Sequence, residues 1–172
     1  AVLGIVIKVN QLVIAATVGI ASGAQPIIGF NYGAGNRKRV KQTFRCVVIC
    51  AEILAVIAFL AYQCIPVQII SIFGKENALY NDFAKLCFRI FLLATVFNGF
   101  QTVAALFMQS IGKAVQSAII SLSRQIIFLL PAEFILSGFL GITGVLWAGP
   151  VADILAFVLA VVIVGYELKQ WK

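Results

Sequence analysis

Apolar residues run on in this sequence over lengths that the surface helix of a water-soluble domain does not carry. A bilayer-spanning helix needs about 20 predominantly apolar residues, and roughly five stretches meet that requirement: residues 2–32, 40–64, 84–111, 115–136 and 145–166. Charges collect between these stretches instead of alternating with the apolar positions, so the pattern is one of spans and connections rather than a polar shell around one core. The chain is 62% hydrophobic and 11% charged, which excludes ordinary soluble usage. The expected fold is all-α, a polytopic transmembrane helical bundle.

The formal charge of +7 raises the question of a nucleic-acid partner, but five of the basic residues, Arg37, Lys38, Arg39, Lys41 and Arg45, cluster between the first two spans. Retention of Lys and Arg on the cytoplasmic side explains that cluster better, and no nucleic-acid partner is expected. Alternation then places the polar connection Ser71–Lys85 outside, the turn at Gly112 and Lys113 inside, the glycine-rich turn at Gly138, Gly141 and Gly144 outside, and Lys169 and Lys172 inside. The expected location is the plasma membrane of a bacterium or archaeon, multi-pass, with the lipid bilayer as the first partner. The chain opens on Ala1 inside an apolar stretch with no charged flank, and is expected to be part of a longer protein.

Cys46, Cys50, Cys64 and Cys87 lie in or beside apolar stretches, and histidine is absent. They read as small packing residues, without metal ligation or disulfides. No phosphate-binding glycine loop, serine elbow or usefully spaced carboxylate pair occurs, so an enzyme is not expected, nor is a cofactor.

Ionisable groups inside a span cost about 2.5–3.5 kcal/mol each on insertion scales, so each requires a reason. Glu52, Glu133 and Asp153 are the acids concerned, and are candidates for holding a coupling cation. Glu133 and Asp153 follow Pro131 and Pro150 closely, where a broken helix can offer free carbonyls. Glu133 also reads as a residue reaching headgroups, Asp153 as a partner to another helix, and Glu52 as the deepest acid, with Arg124 as a candidate partner. Pro26 removes a backbone bond to Ser22 and kinks the first span; Pro26, Pro131 and Pro150 are the candidate hinges. Asn98, Gln101, Thr102, Ala105 and Gln109 recur at steps of three and four, forming one polar stripe that faces either an aqueous cavity or another helix. Gln25 and Asn31 add polar groups to the first span. Sparse inward polar residues on proline-bearing helices point to a secondary transporter.

The stretch Gly23-Ala-Gln-Pro-Ile-Ile-Gly-Phe-Asn-Tyr-Gly-Ala-Gly-Asn36, followed by Arg39, Val40 and Lys41, resembles the second helix of the C-terminal lobe in MATE multidrug exporters. Phe107-Met-Gln-Ser-Ile-Gly-Lys113 through Arg124-Gln125, and Gly144-Val-Leu-Trp-Ala-Gly-Pro-Val-Ala-Asp153, follow in the order that family has. The resemblance is nearest to the MepA-like and DinF-like branch.

It implies two six-helix lobes around a cleft that opens alternately to each side. This chain would supply helices two to six of the second lobe, its partners being an N-terminal lobe and a first C-lobe helix of the same protein. The implied activity is export of cationic amphipathic small molecules in exchange for Na+ or H+. Gln25, Asn31, Asn98, Gln101 and Gln109 become substrate or cleft candidates. In that branch the coupling carboxylate lies on the first helix of the N-terminal lobe, and the span carrying Asn98 has no acid. A lipid or lipid-linked oligosaccharide flippase of the same superfamily is the alternative, and a non-transporting membrane scaffold or channel subunit is a third reading.

Overall fold

The computed structural model describes residues 2–71, 85–87, 89–90 and 93–171. Helix α1 spans Val2–Gly33, α2 Arg37–Cys64, α3 Pro66–Ser71, α4 Thr95–Ser110, α5 Ala114–Leu122, α6 Leu130–Leu140 and α7 Ile142–Lys169, and a π-helical segment over Ser123–Leu129 joins α5 to α6. Among the described residues no strand occurs. Among the described residues four helical stretches are long and apolar enough to cross a bilayer: Gly4–Gly33, Arg37–Cys64, Ala114–Phe139 and Thr143–Lys169. The remaining expected span, 84–111, is represented by α4, short helical pieces at 85–87 and 89–90 and turn residues at 93, 94 and 111, and residues 84, 88, 91 and 92 lie outside the described ones. The same holds for most of the polar connection expected at 71–85.

Helix α4 is the hub, packed against α1, α2, α5 and α7. Its buried Val103, Ala104, Ala105, Phe107 and Met108 meet Ala21, Ala24 and Ile28 of α1, Phe44, Val47 and Ala51 of α2, and Ala160 and Val164 of α7 in one core. Lipid tails are as apolar as leucine, so burial of large side chains does not drive helices together in a membrane. Close approach over small residues does. Alanines at a four-residue spacing supply it: Ala51 and Ala55 on α2, and Ala148, Ala152, Ala156 and Ala160 on α7, are all buried. Large apolar side chains such as Ile53, Ile57, Phe134, Phe139 and Val162 stand on the outside, where a bilayer would meet them.

The connections from α1 to α2 and from α6 to α7 are short. Gly35 takes a positive φ between α1 and α2, and Asn36 caps α2 by accepting from the Arg39 backbone N–H at 3.2 Å. The turn expected to extend across Gly138, Gly141 and Gly144 is a single residue, Gly141, because Gly138 and Gly144 are both helical. At φ 59°, ψ −136°, Gly141 occupies a region that side chains do not tolerate. Helices α6 and α7 therefore fold back tightly, with Gly144 seated against the Leu136 carbonyl.

Pro131 does not interrupt the fourth span. The helix runs from Ala114 through to Leu140, and the π segment ends just before the proline, where the Leu130 N–H donates to the Gln125 carbonyl five residues back. A wider turn relieves the crowding that the pyrrolidine ring imposes on the preceding turn, so the span changes register rather than breaking. Pro26 and Pro150 likewise lie inside helices that continue past them.

Candidate functional site

The polar stripe of α4 converges with the fourth and fifth spans on Asp153. Asn98 Nδ2 donates to Asp153 Oδ2 at 3.2 Å, and Arg124 Nε donates to Asp153 Oδ1 at 2.5 Å. The Asp153 side chain is 2% exposed and that of Arg124 17%. A carboxylate at this depth is tolerable because a guanidinium and an amide satisfy both of its oxygens, which leaves the pair locally neutral. Arg124 lies in the π segment, one turn along from Ile120, whose carbonyl accepts from Gln101 Nε2 at 3.0 Å and from Ser123 Oγ at 2.9 Å. Two side chains thus serve a carbonyl at the junction where the helical bonding pattern changes from four to five residues.

Beside this network opens a cavity of about 280 Å³. Asn98, Gln101, Thr102 and Gln109 of α4 form one wall, Ser117, Ser121, Arg124 and Gln125 of the fourth span another, and Ile14 and Val18 of α1 an apolar flank. The α4 stripe therefore does both things its spacing allows: Asn98 and Gln101 bond neighbouring helices, while the same face borders a cavity. Asp153 lies behind the wall and is held by Arg124, so the lining offers amide and hydroxyl oxygens rather than a free carboxylate. Such a surface suits a ligand with apolar area and few polar groups.

The other candidates lie apart. Asn31 donates to the Ile27 carbonyl of its own helix at 2.8 Å, Gln25 is half-buried, and neither borders the cavity. Glu52 is less buried than Asp153 and does not pair with Arg124, which Asp153 engages; it is half-buried on α2, with Oε1 3.2 Å from where a Cβ on Gly99 would stand. Glu133 is half-buried in the first turn of α6. Cys87 is packed inside, whereas Cys46, Cys50 and Cys64 face outward and do not pack in the core.

At the basic end a second cluster forms. Lys113 pairs with Glu167, whose other oxygen accepts from Trp171 Nε1 at 3.0 Å. The Arg37 guanidinium lies 3.6 Å from the Tyr32 ring centroid and 5.0 Å from that of Trp171. Glu167 is not among the residues singled out from the sequence. Its position one turn before Trp171 was the available signal.

The family model MatE matches residues 1–135. "Multidrug export protein MepA" of Staphylococcus aureus (strain bovine RF122 / ET3-1) is 23% identical over 167 residues, covering 97% of this chain and 36% of the relative. The structure of the MATE multidrug transporter DinF-BH superposes with a TM-score of 0.86 at 35% identity, covering 96% of this chain and 37% of that one. An outward-facing MATE family transporter of the MOP superfamily matches in fold with a TM-score of 0.91 at 17% identity, over 99% of this chain and 38% of the other. The chain thus spans little more than a third of the length of the proteins it matches. With a family model that covers most of its residues and a fold shared with solved transporters, this membrane-embedded helical chain belongs to the MatE family.

Proposed function

We propose that the chain forms part of the C-terminal lobe of a secondary multidrug exporter that exchanges Na+ or H+ for cationic amphipathic compounds across a prokaryotic cytoplasmic membrane. The observation that carries this reading is the cavity bordered by the α4 stripe inside a bundle of MatE family membership. Its oxygens and apolar flank fit ligands with a diffuse positive charge and large apolar area, the Arg124 charge in its wall being offset by Asp153, and the lack of a free carboxylate among its lining residues favours polyspecificity over recognition of one headgroup. Asp153 serves in this reading as the positioning partner of Arg124, and Glu52 and Glu133 remain the coupling-cation candidates of this portion.

The test is efflux of a cationic dye by the complete transporter under imposed Na+ or proton gradients. Gradient-dependent export is expected, and its absence would refute the reading. Gln109, exposed at the cavity wall and with a side chain that makes no hydrogen bond among the described residues, supplies a second readout. Gln109→Leu is expected to raise the apparent KM for the dye by about two- to tenfold, the worth of one hydrogen bond, with protein abundance unchanged. An unaltered KM would remove this cavity from the substrate path. Pro26 is proposed as a hinge, since a helix lacking one backbone bond bends at lower cost. Pro26→Ala should slow transport turnover while leaving dye binding intact, and unchanged turnover would argue against it.

A further inference from the structure

On the flank of the bundle away from the polar cavity, α2 and α7 leave a groove of about 600 Å³ at the basic end. Its floor is apolar, made by Phe44 and Val48 of α2, Phe100 of α4 and Leu168 of α7. Phe44 and Phe100 meet edge to face at 6.3 Å between centroids, so this floor is built from fixed rings. Three cations, Lys41, Arg45 and Lys169, stand along the same groove. Among the described residues no carboxylate pairs with any of the three, because Glu167, the acid on the same stretch of α7, is engaged by Lys113 and Trp171. Arg45 lies two turns inside α2, at a depth where a long side chain reaches along apolar surface toward a headgroup.

A groove with a dry aromatic floor and cations lacking a carboxylate partner at one end is complementary to a molecule with an acyl chain and an anionic head. We infer that the groove between α2 and α7 seats an anionic phospholipid of the surrounding bilayer, its phosphate held by Lys41, Arg45 and Lys169 and its acyl chain lying over Phe44 and Phe100. The charge complementarity selects the occupant: a neutral lipid or a second apolar helix would leave three cations without a counter-charge at the membrane surface. Basic pockets between transmembrane helices are a recurrent setting for such headgroups. The bound lipid would tie the N-terminal end of α2 to the C-terminal end of α7, helices that meet chiefly through their shared packing on α4.

Native mass spectrometry of the complete transporter, released from micelles containing equal phosphatidylglycerol and phosphatidylcholine, tests this directly. The unmodified protein should retain phosphatidylglycerol preferentially. The triple variant Lys41→Gln, Arg45→Gln, Lys169→Gln should lose roughly a hundredfold of that preference, about fivefold per cation. Lys38→Gln with Arg39→Gln, which removes two exposed charges at the same end but outside the groove, should keep it. Retention of the preference by the triple variant, or its equal loss in the control, would overturn the proposal. Inorganic phosphate and water-soluble glycerophosphoglycerol added in excess should not displace the lipid; displacement by either would show an anion site without an acyl seat, and would likewise overturn it. Recovery of a stoichiometric dimer with no bound lipid would assign the groove to a second copy instead.

Discussion

Asp153→Ala in the complete transporter is expected to destabilise the folded protein by about 3–5 kcal/mol, the cost of leaving a buried cation without its partner. Arg124 is only 17% exposed in its side chain, and the Asn98 amide cannot replace the lost carboxylate because its Oδ1 is a neutral acceptor that brings no counter-charge. The double variant Asp153→Ala, Arg124→Ala removes both charges and should recover much of the loss. Thermal unfolding followed by size-exclusion chromatography in detergent checks the comparison. Equal losses in the single and double variants would show that the ion pair is not what stabilises this junction of three helices. Asp153→Asn with Arg124 intact discriminates further: shape is kept and charge removed, so a stability near that of the alanine variant would place the effect in electrostatics rather than packing.

Gly144→Leu is expected to abolish folding. A Cβ at this position would stand 2.0 Å from the Leu136 carbonyl oxygen and 2.4 Å from its carbon, both backbone atoms that no rotamer change can move aside. Even Gly144→Ala forces α6 and α7 apart, and the tight fold at Gly141 leaves no length of loop to absorb the displacement. Overpacking of side chains costs about 1–3 kcal/mol, and a clash with backbone exceeds that range. Gly138→Ala is the matched control, since nothing lies within 4 Å of its added Cβ. It should leave expression and melting temperature unchanged or slightly raised, as expected for alanine replacing glycine within a helix. Comparable yields of the Gly138 and Gly144 variants would contradict the close approach of these two helices.

What the sequence made readable follows from its periodicities. The spans could be placed to within a few residues at α1 and α2 because the change from apolar run to charged cluster is sharp at Gly33–Arg37, with Gly35 and Asn36 supplying turn and cap. The α4 stripe was readable because helical spacing puts Asn98, Gln101, Thr102 and Gln109 on one face whatever they contact. The pairing of Arg124 with Asp153 was not, since these residues are 29 positions apart on different spans and local spacing carries no information about which helices meet. Glu52 was the more central acid in its own span and so looked the better partner, but the packing of α2 against α4 turns it toward the Gly99 backbone. The glycine-rich connection looked like a turn spread over Gly138, Gly141 and Gly144 because glycine marks both turns and close helix contacts, and composition does not separate the two uses. Gly141 serves as the turn and Gly144 as the contact.

The π segment escaped the sequence reading for a related reason: it is a change of hydrogen-bonding register within an unbroken run of apolar residues. It also fixes the phase between the two halves of the fourth span. Each residue added to or taken from an α-helix rotates everything beyond it by about 100°. Upstream of Ser123 the span turns Ser117 and Ser121 toward the cavity, and Arg124, at the start of the wider turn, reaches α7. A one-residue deletion between Ser123 and Leu129 would let the segment relax to α-helical bonding with the downstream half kept near its present phase, because the wider turn holds about one extra residue, whereas the same deletion within α5 would swing Glu133 and Phe134 around the axis relative to α7. For length variation this short stretch behaves like a slip joint, able to give up a residue that α5 cannot lose without re-aiming the far end of the span.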